Sequence, residues 1–175
     1  MTGIMQAVLG TAPAFNPAAG LYTRAYSGYF FDDVNYFAGA TQTAQGVDAG
    51  TLFSVGGTNY SQQWLGYFRP NTTENYRFYL TSDDASYFWI GSTAISGFTT
   101  GNANINNGGL HPATTVVSGL ISLTANVYYP IRIQYGNSSG TEAFEFLFER
   151  VNTNPGTLFG NLSGLSFYNT STRAF

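Results

Sequence analysis

Polar and apolar side chains alternate most regularly over Glu142-Ala143-Phe144-Glu145-Phe146-Leu147-Phe148-Glu149-Arg150. Phe144, Phe146 and Phe148 take one side, and Glu145, Leu147 and Glu149 take the other. This is the period-two pattern of a half-buried strand with a solvent face. The same pattern runs through residues 75–82, where Tyr76, Phe78 and Leu80 alternate with Asn75, Arg77 and Tyr79. Further strands are predicted over residues 20–31, 62–69, 86–91, 116–123 and 127–135, with one or two short ones after Val151. Residues 70–74 and 137–141 read as tight turns, and residues 32–37 as a turn followed by a short strand or a helical turn. Residues 38–61 read as a long surface excursion with one short strand near Leu52-Phe53. Residues 96–115 read as a long loop of the kind that often carries function. No segment keeps a helical period beyond two turns, and no block repeats at a fixed spacing. The pattern predicts an all-β fold, a two-sheet antiparallel β-sandwich.

Composition supports that picture and excludes several functions. The 175 residues suit a single domain, with 43% hydrophobic content, 13 Tyr, 15 Phe and 21 Gly. Only 9% of residues are charged, so Asn, Thr, Ser and Tyr must cover much of the surface. All six basic residues are Arg, the net charge is −3, and no basic cluster exists to bind nucleic acid. With no Cys there is no disulfide framework, thiol nucleophile or thiolate zinc site. The N-terminal run is apolar but too short to span a membrane, and it lacks the basic start of a signal peptide. A weakly charged, aromatic surface favours assembly, including a homo-oligomer.

Asp83 and Asp84 interrupt the strand pattern between Thr81-Ser82 and Ala85-Ser86. Neighbouring side chains of a regular strand point to opposite faces, so two adjacent acids cannot share a ligand there. A local distortion, such as a bulge or a cis peptide, would bring both to one side. Clustered carboxylate and carbonyl oxygens suit a hard cation such as Ca²⁺. The bland reading is an Asp pair that caps the backbone amides of a bend.

The flanking segments strengthen the cation reading. They are Trp64-Leu65-Gly66-Tyr67-Phe68-Arg69-Pro70, the run from Tyr76 to Gly91 centred on Ser82-Asp83-Asp84, and Tyr128-Tyr129-Pro130-Ile131-Arg132-Ile133-Gln134-Tyr135. Their order over roughly residues 20–150 resembles the protective-antigen-type (PA14) domain and its adhesin relatives, the GLEYA and flocculin lectins. The resemblance implies a jelly-roll-type β-sandwich. It also implies a cis Asp83–Asp84 bond that binds Ca²⁺, through which vicinal sugar hydroxyls are ligated. The remaining ligands would come from residues 136–141, with Asn137 as side-chain donor and backbone carbonyls of Ser139 or Thr141 completing the shell. His111 and Trp89 are further candidates to line the sugar pocket, and Trp64, Tyr67 and Phe98 are candidate stacking surfaces, although alternating aromatics are usually core.

Other chemistry is weaker. Asp32-Asp33 reads as a turn pair. His111 is the only histidine, too isolated for a zinc site or a triad. Glu142, Glu145 and Glu149 share one strand or its lead-in, and nothing places an acid opposite them at glycosidase spacing. The sequons at Asn71, Asn137, Asn161 and Asn169 arise readily by chance in so Asn- and Thr-rich a chain. The chain is expected to be non-enzymatic.

The opening, Met1-Thr2-Gly3-Ile4-Met5-Gln6-Ala7-Val8-Leu9, resembles short leading peptides of tailed-phage structural proteins, and residues 11–19 read as a Pro/Ala linker. The expected layout is a docking peptide and linker over residues 1–19, then a sandwich over residues 20–175. The primary functional expectation is a virion decoration protein. It would contact other virion proteins through residues 1–19 and display a Ca²⁺-dependent, glycan-binding sandwich at the particle surface. The alternatives are an extracellular or cell-surface adhesin or carbohydrate-binding module, and a purely structural cement protein.

Overall fold

The computed structural model describes residues 15–48, 56–160 and 166–170. The docking peptide read into residues 1–10, and the strand expected near Leu52-Phe53, lie outside them. Among the described residues, thirteen strands form two antiparallel sheets.

The larger sheet holds β1 (Pro17–Ala19), β2 (Leu21–Ser27), β3 (Gln42–Asp48), β4 (Tyr60–Phe68), β6 (Ser86–Ile90), β7 (Ile105–Asn107), β10 (Tyr129–Asn137) and β13 (Phe167–Thr170). The smaller holds β5 (Glu74–Asp83), β8 (Thr114–Val117), β9 (Ile121–Leu123), β11 (Ala143–Arg150) and β12 (Leu158–Phe159). In the larger sheet the order is β1-β13-β4-β10-β6-β7, with β2 alongside β4 and β3 alongside β2. In the smaller it is β12-β11-β5-β8, with β9 also on β5. The predicted two-sheet antiparallel sandwich is the observed fold.

The sheets face each other across an aromatic core. Tyr76, Phe78 and Leu80 of β5 and Phe146 and Phe148 of β11 meet Trp64, Phe68, Phe88, Ile131, Ile133 and Tyr135 of the larger sheet. Phe78 packs in parallel on Phe146 at 5.7 Å between ring centroids, and Phe68 meets Phe78 edge-on at 5.2 Å. Each fully buried large side chain contributes about 1.5–3 kcal/mol of transfer free energy. The alternation read from β5 and β11 therefore reports the inner face of the smaller sheet. Glu149 departs from its expected solvent face: it is buried, accepting hydrogen bonds from the Tyr79 hydroxyl at 2.6 Å and the Gly156 N–H at 2.7 Å.

Four further expectations are corrected. Pro17–Ala19, read as linker, pairs with Tyr168–Thr170 and so belongs to the sheet. Residues 42–48 form an edge strand, β3, whose mostly exposed side chains hide the alternation that betrays a half-buried strand. The single strand expected over 116–123 is two strands: at Ser118 the chain leaves the ladder, and the Ser118 Oγ accepts the Phe78 N–H at 2.9 Å. The long loop at 96–115 is structured, with a 3-10 turn at Thr100–Asn102, the strand β7 and the start of β8. Thr99 and Asn102 cap that turn reciprocally, side chain to backbone.

The outer face of the larger sheet is covered by loops. Residues 28–40, the short helix α1 (Ser92–Ile95) and the segment around Phe98 bury Tyr26, Phe30, Phe37, Tyr87, Trp89 and Ala94 in a second core. Asp32 of this layer reaches the neighbouring loop at Gly109.

Candidate functional site

Strand β5 ends at Asp83 and β6 begins at Ser86, so Asp83, Asp84 and Ala85 form the connection between the two sheets. The Asp83–Asp84 peptide bond is cis, as the resemblance implies. The Tyr135 hydroxyl donates to the Asp83 carbonyl at 2.7 Å, which ties the connection to β10. Burial, then the neighbouring Tyr60, raises the Tyr135 pKa well above the ordinary phenol value, so the hydroxyl keeps its proton.

The two carboxylates differ. Asp84 is buried and works as a clamp: its Oδ1 accepts the His111 N–H at 3.1 Å and its Oδ2 accepts the Ser138 N–H at 3.0 Å. It thus fastens loop 108–113 and loop 138–142 to the connection. Asp83 is half-buried, and its carboxylate accepts no hydrogen bond among the described residues. A carboxylate offers about four lone-pair directions, so even the clamped Asp84 keeps capacity for a cation.

Asn137, at the end of β10, is fully buried. Its Nδ2 donates to the Gly57 carbonyl at 3.1 Å, which fixes the orientation of the amide. Its Oδ1 is buried and has no hydrogen-bond donor among the described residues. A buried acceptor without a donor costs about 1–3 kcal/mol, and a cation relieves it as well as a donor does. Two carboxylates and an unpartnered amide oxygen are donors of the chemical type that Ca²⁺ prefers. Among the described residues no three His, Cys, Asp or Glu side chains cluster to hold a metal, so any cation here relies on neutral oxygens as well. Ser139 and Thr141 are exposed at the tip of the same loop.

The other expected residues lie elsewhere or act differently. Trp89, a candidate sugar contact, is fully buried in the second core. Its Nε1–H is shared between the Thr99 carbonyl and Asn102 Oδ1, each at 3.0 Å, so it anchors the 98–103 segment and offers no face to a ligand. Trp64 is likewise buried, stacked on Phe144 at 4.8 Å. The half-buried His111 ring closes its own loop, with Nε2 at 3.2 Å from the Asn107 carbonyl and Nδ1 at 3.0 Å from the Pro112 carbonyl.

Asp32, read only as a turn residue, also holds the site loop. Its Oδ1 accepts the Tyr87 hydroxyl at 2.8 Å and the Gly109 N–H at 3.1 Å. A Cβ on Gly108 would overlap the Tyr87 hydroxyl, so this approach requires glycine. Burial, then the Asp32 hydrogen bond, lifts the Tyr87 pKa above the phenol range and keeps it a donor. Gly109 and His111 are therefore pinned by Asp32 and Asp84 respectively, and Leu110 between them projects outward, 67% exposed. Phe31, beside Asp32, is 75% exposed at a left-handed φ of 48° and lies edge-on to Tyr29 at 4.9 Å. A bulky residue at positive φ is a genuine outlier, and such positions concentrate at ligand clamps. Nothing in the hydrophobic pattern marks Phe31 or Leu110, because both look like ordinary core residues in sequence.

Residues 60–150, just over half of the chain, match the GLEYA domain family. A cell agglutination protein of Schizosaccharomyces pombe, pfl4, is 34% identical over 88 residues, which are 47% of this chain and 14% of that protein. The chain thus spans a small part of that relative's length. Among solved structures, the A domain of epithelial adhesin 6 from Candida glabrata, in complex with Galβ1-3GlcNAc, superposes with a TM-score of 0.68 at 20% identity, covering 89% of each chain. The PA14 domain of the antifreeze protein MpAFP superposes with a TM-score of 0.66 at 17% identity, covering 93% of this chain and 96% of that one. These superpositions establish the sandwich, and the match over β4 to β11 establishes the lineage: this chain belongs to the GLEYA domain family.

Proposed function

We propose that the protein is a cell-surface or extracellular adhesin module that binds glycans through Ca²⁺ held by Asp83, Asp84 and Asn137. The observation that carries this reading is the fully buried Asn137 Oδ1 without a donor, on the loop that Asp84 clamps beside Asp83. When bound, Ca²⁺ supplies coordination for vicinal sugar hydroxyls. The chain's own residues do the rest. Asp84 and Asp32 hold the two site loops in place, and backbone carbonyls of Ser139 or Thr141 complete the cation shell. Phe31 and Leu110 present apolar surface to a sugar ring. The agglutination protein and the galactoside-bound adhesin among the relatives favour an adhesin over the virion decoration reading. That reading rests on residues 1–10, which lie outside the described residues.

The test is calorimetric titration with Galβ1-3GlcNAc, in Ca²⁺ and then in excess EDTA. Binding in Ca²⁺ that EDTA abolishes, and that an Asp83→Asn/Asp84→Asn variant lacks, is the expected result. If this and a broad glycan panel leave the folded, Ca²⁺-loaded protein unbound, a cement role without ligand takes its place.

A further inference from the structure

A second polar site lies on the outer face of the larger sheet. Strand register places Arg24 of β2 opposite Gln63 of β4, and Gln63 opposite Gln134 of β10, in one row across the sheet. In the next row Arg132 lies opposite Leu65 on one side and Trp89 on the other. The loops that cover this face leave a cavity of about 240 Å³ over these residues. Arg24, Gln63, Arg132 and Gln134 line it, with Phe37 and Phe98 among its apolar walls. Two of the chain's six cationic side chains thus converge on one cavity, and no Asp or Glu lines it among the described residues.

Arg132 is held in place. Its Nε donates to the Ala94 carbonyl at 2.9 Å, its Nη1 donates to Gln63 Oε1 at 3.0 Å, and its guanidinium lies 4.0 Å from the Phe98 ring centroid. Burial, with the Arg24 charge adding to it, pushes its pKa down to about 10, so it stays charged at neutral pH. Two lining atoms lack partners among the described residues. The buried Arg24 Nε has no acceptor. Gln134 is fully buried; its Nε2 donates to the Val34 carbonyl at 3.0 Å, while its Oε1 has no donor. A ligand that suits this cavity brings negative oxygens to the guanidinium groups and an O–H to Gln134. Guanidinium forks match carboxylates in charge and geometry.

We infer that this cavity binds a small hydroxy-carboxylate, its carboxylate toward Arg24 and Arg132 and its hydroxyl donating to Gln134 Oε1. The volume is that of about eight liquid waters, which suits a small acid or one terminal acidic sugar. Its lining includes none of Asp83, Asp84 and Asn137 and it needs no cation, so it does not depend on the Ca²⁺ reading.

The experiment is a ¹⁵N-NMR titration with sodium D-glucuronate, sodium lactate, glucose and sodium sulfate, each in EDTA. The expected result is saturable shifts at β2, β10 and the Phe98 segment with one of the hydroxy acids and none with glucose. An Arg24→Gln variant should weaken binding at least tenfold, as should Gln134→Met, while Asp83→Asn/Asp84→Asn leaves it unchanged. Tighter binding of glucuronate identifies an acidic sugar as the source, and tighter binding of lactate a free hydroxy acid. The inference is overturned if no carboxylate shifts these resonances at millimolar concentration. Sulfate binding as tightly as the hydroxy acids, or indifference to Arg24→Gln, overturns it equally.

Discussion

The two faces of the larger sheet meet different partners and do different work. The inner face meets another sheet, and its side chains, among them Trp64, Phe88, Ile131 and Ile133, are apolar. The outer face meets loops, and its rows mix Tyr87 and Trp89 with Arg24, Gln63, Arg132 and Gln134. A sheet covers its neighbour with side chains and keeps its own backbone bonded. A loop brings carbonyls and N–H groups that need partners, so the strands beneath it carry polar side chains to supply them. Arg132 to the Ala94 carbonyl, Gln134 to the Val34 carbonyl and Trp89 to the Thr99 carbonyl are all bonds of this kind. The inner face therefore supplies stability, and the outer face and its rim carry the candidate sites.

Substitutions can break that contrast. The largest effect is expected for Phe78→Ala on the inner core, about 3–5 kcal/mol in denaturant unfolding, because the cavity lies between two paired sheets and cannot collapse. Asp84→Ala is expected to cost about 2 kcal/mol even without Ca²⁺, since it strips the acceptor from the His111 and Ser138 amides; hydrogen exchange should accelerate at those two amides first. Trp89→Phe keeps most of the buried ring and loses the hydrogen bonds to Thr99 and Asn102. About 1 kcal/mol is expected, with the loosening confined to residues 98–103.

Acid should act on the smaller sheet. The Gly156 N–H and Tyr79 hydroxyl hold the Glu149 carboxyl below the usual range, and hydrogen bonds from Thr72, Thr153 and Asn152 do the same for Glu74 against the opposing pull of burial. Both folded pKa values lie below the unfolded ones, so their stabilisation is present above the ordinary glutamate pKa and is lost as pH falls through the folded values. Melting temperature should fall on acidification, and Glu149→Gln should flatten part of that slope. Phe31→Ala is the smallest in stability, within about 0.5 kcal/mol, because the side chain is exposed. It should weaken sugar binding severalfold nonetheless, which separates the rim from the scaffold.

How much could be read from sequence follows the same division. Strands β5, β10 and β11 were legible because one face is buried and the alternation survives. Strand β3 was not, because both its faces are largely exposed and its residues, Gln42 to Asp48, look like loop. The break at Ser118 was hidden because a single hydroxyl replaces a ladder bond there, and no period reports that. The Asp83-Asp84 pair stood out because two acids within a strand conflict with its geometry, and Asn137 followed from the resemblance. Asp32 was harder to place: its role depends on Gly109, 77 residues away, and only folding shows that pairing. Trp89 is ambiguous in sequence because an aromatic near a strand end can face a ligand or a loop, and Thr99 and Asn102 decide for the loop.

The most direct test of the proposed Ca²⁺ site is thermal unfolding of the protein in EDTA and then in excess Ca²⁺, for the wild type and the Asp83→Asn/Asp84→Asn variant. A ligand bound only to the native state adds about 2.7 kcal/mol at a hundredfold excess over its dissociation constant, a rise of several degrees for a domain of this size. The account predicts that rise in the wild type and its absence in the variant. Identical melting of the wild type in EDTA and in Ca²⁺ would contradict it and leave Asp83 and Asp84 as structural clamps.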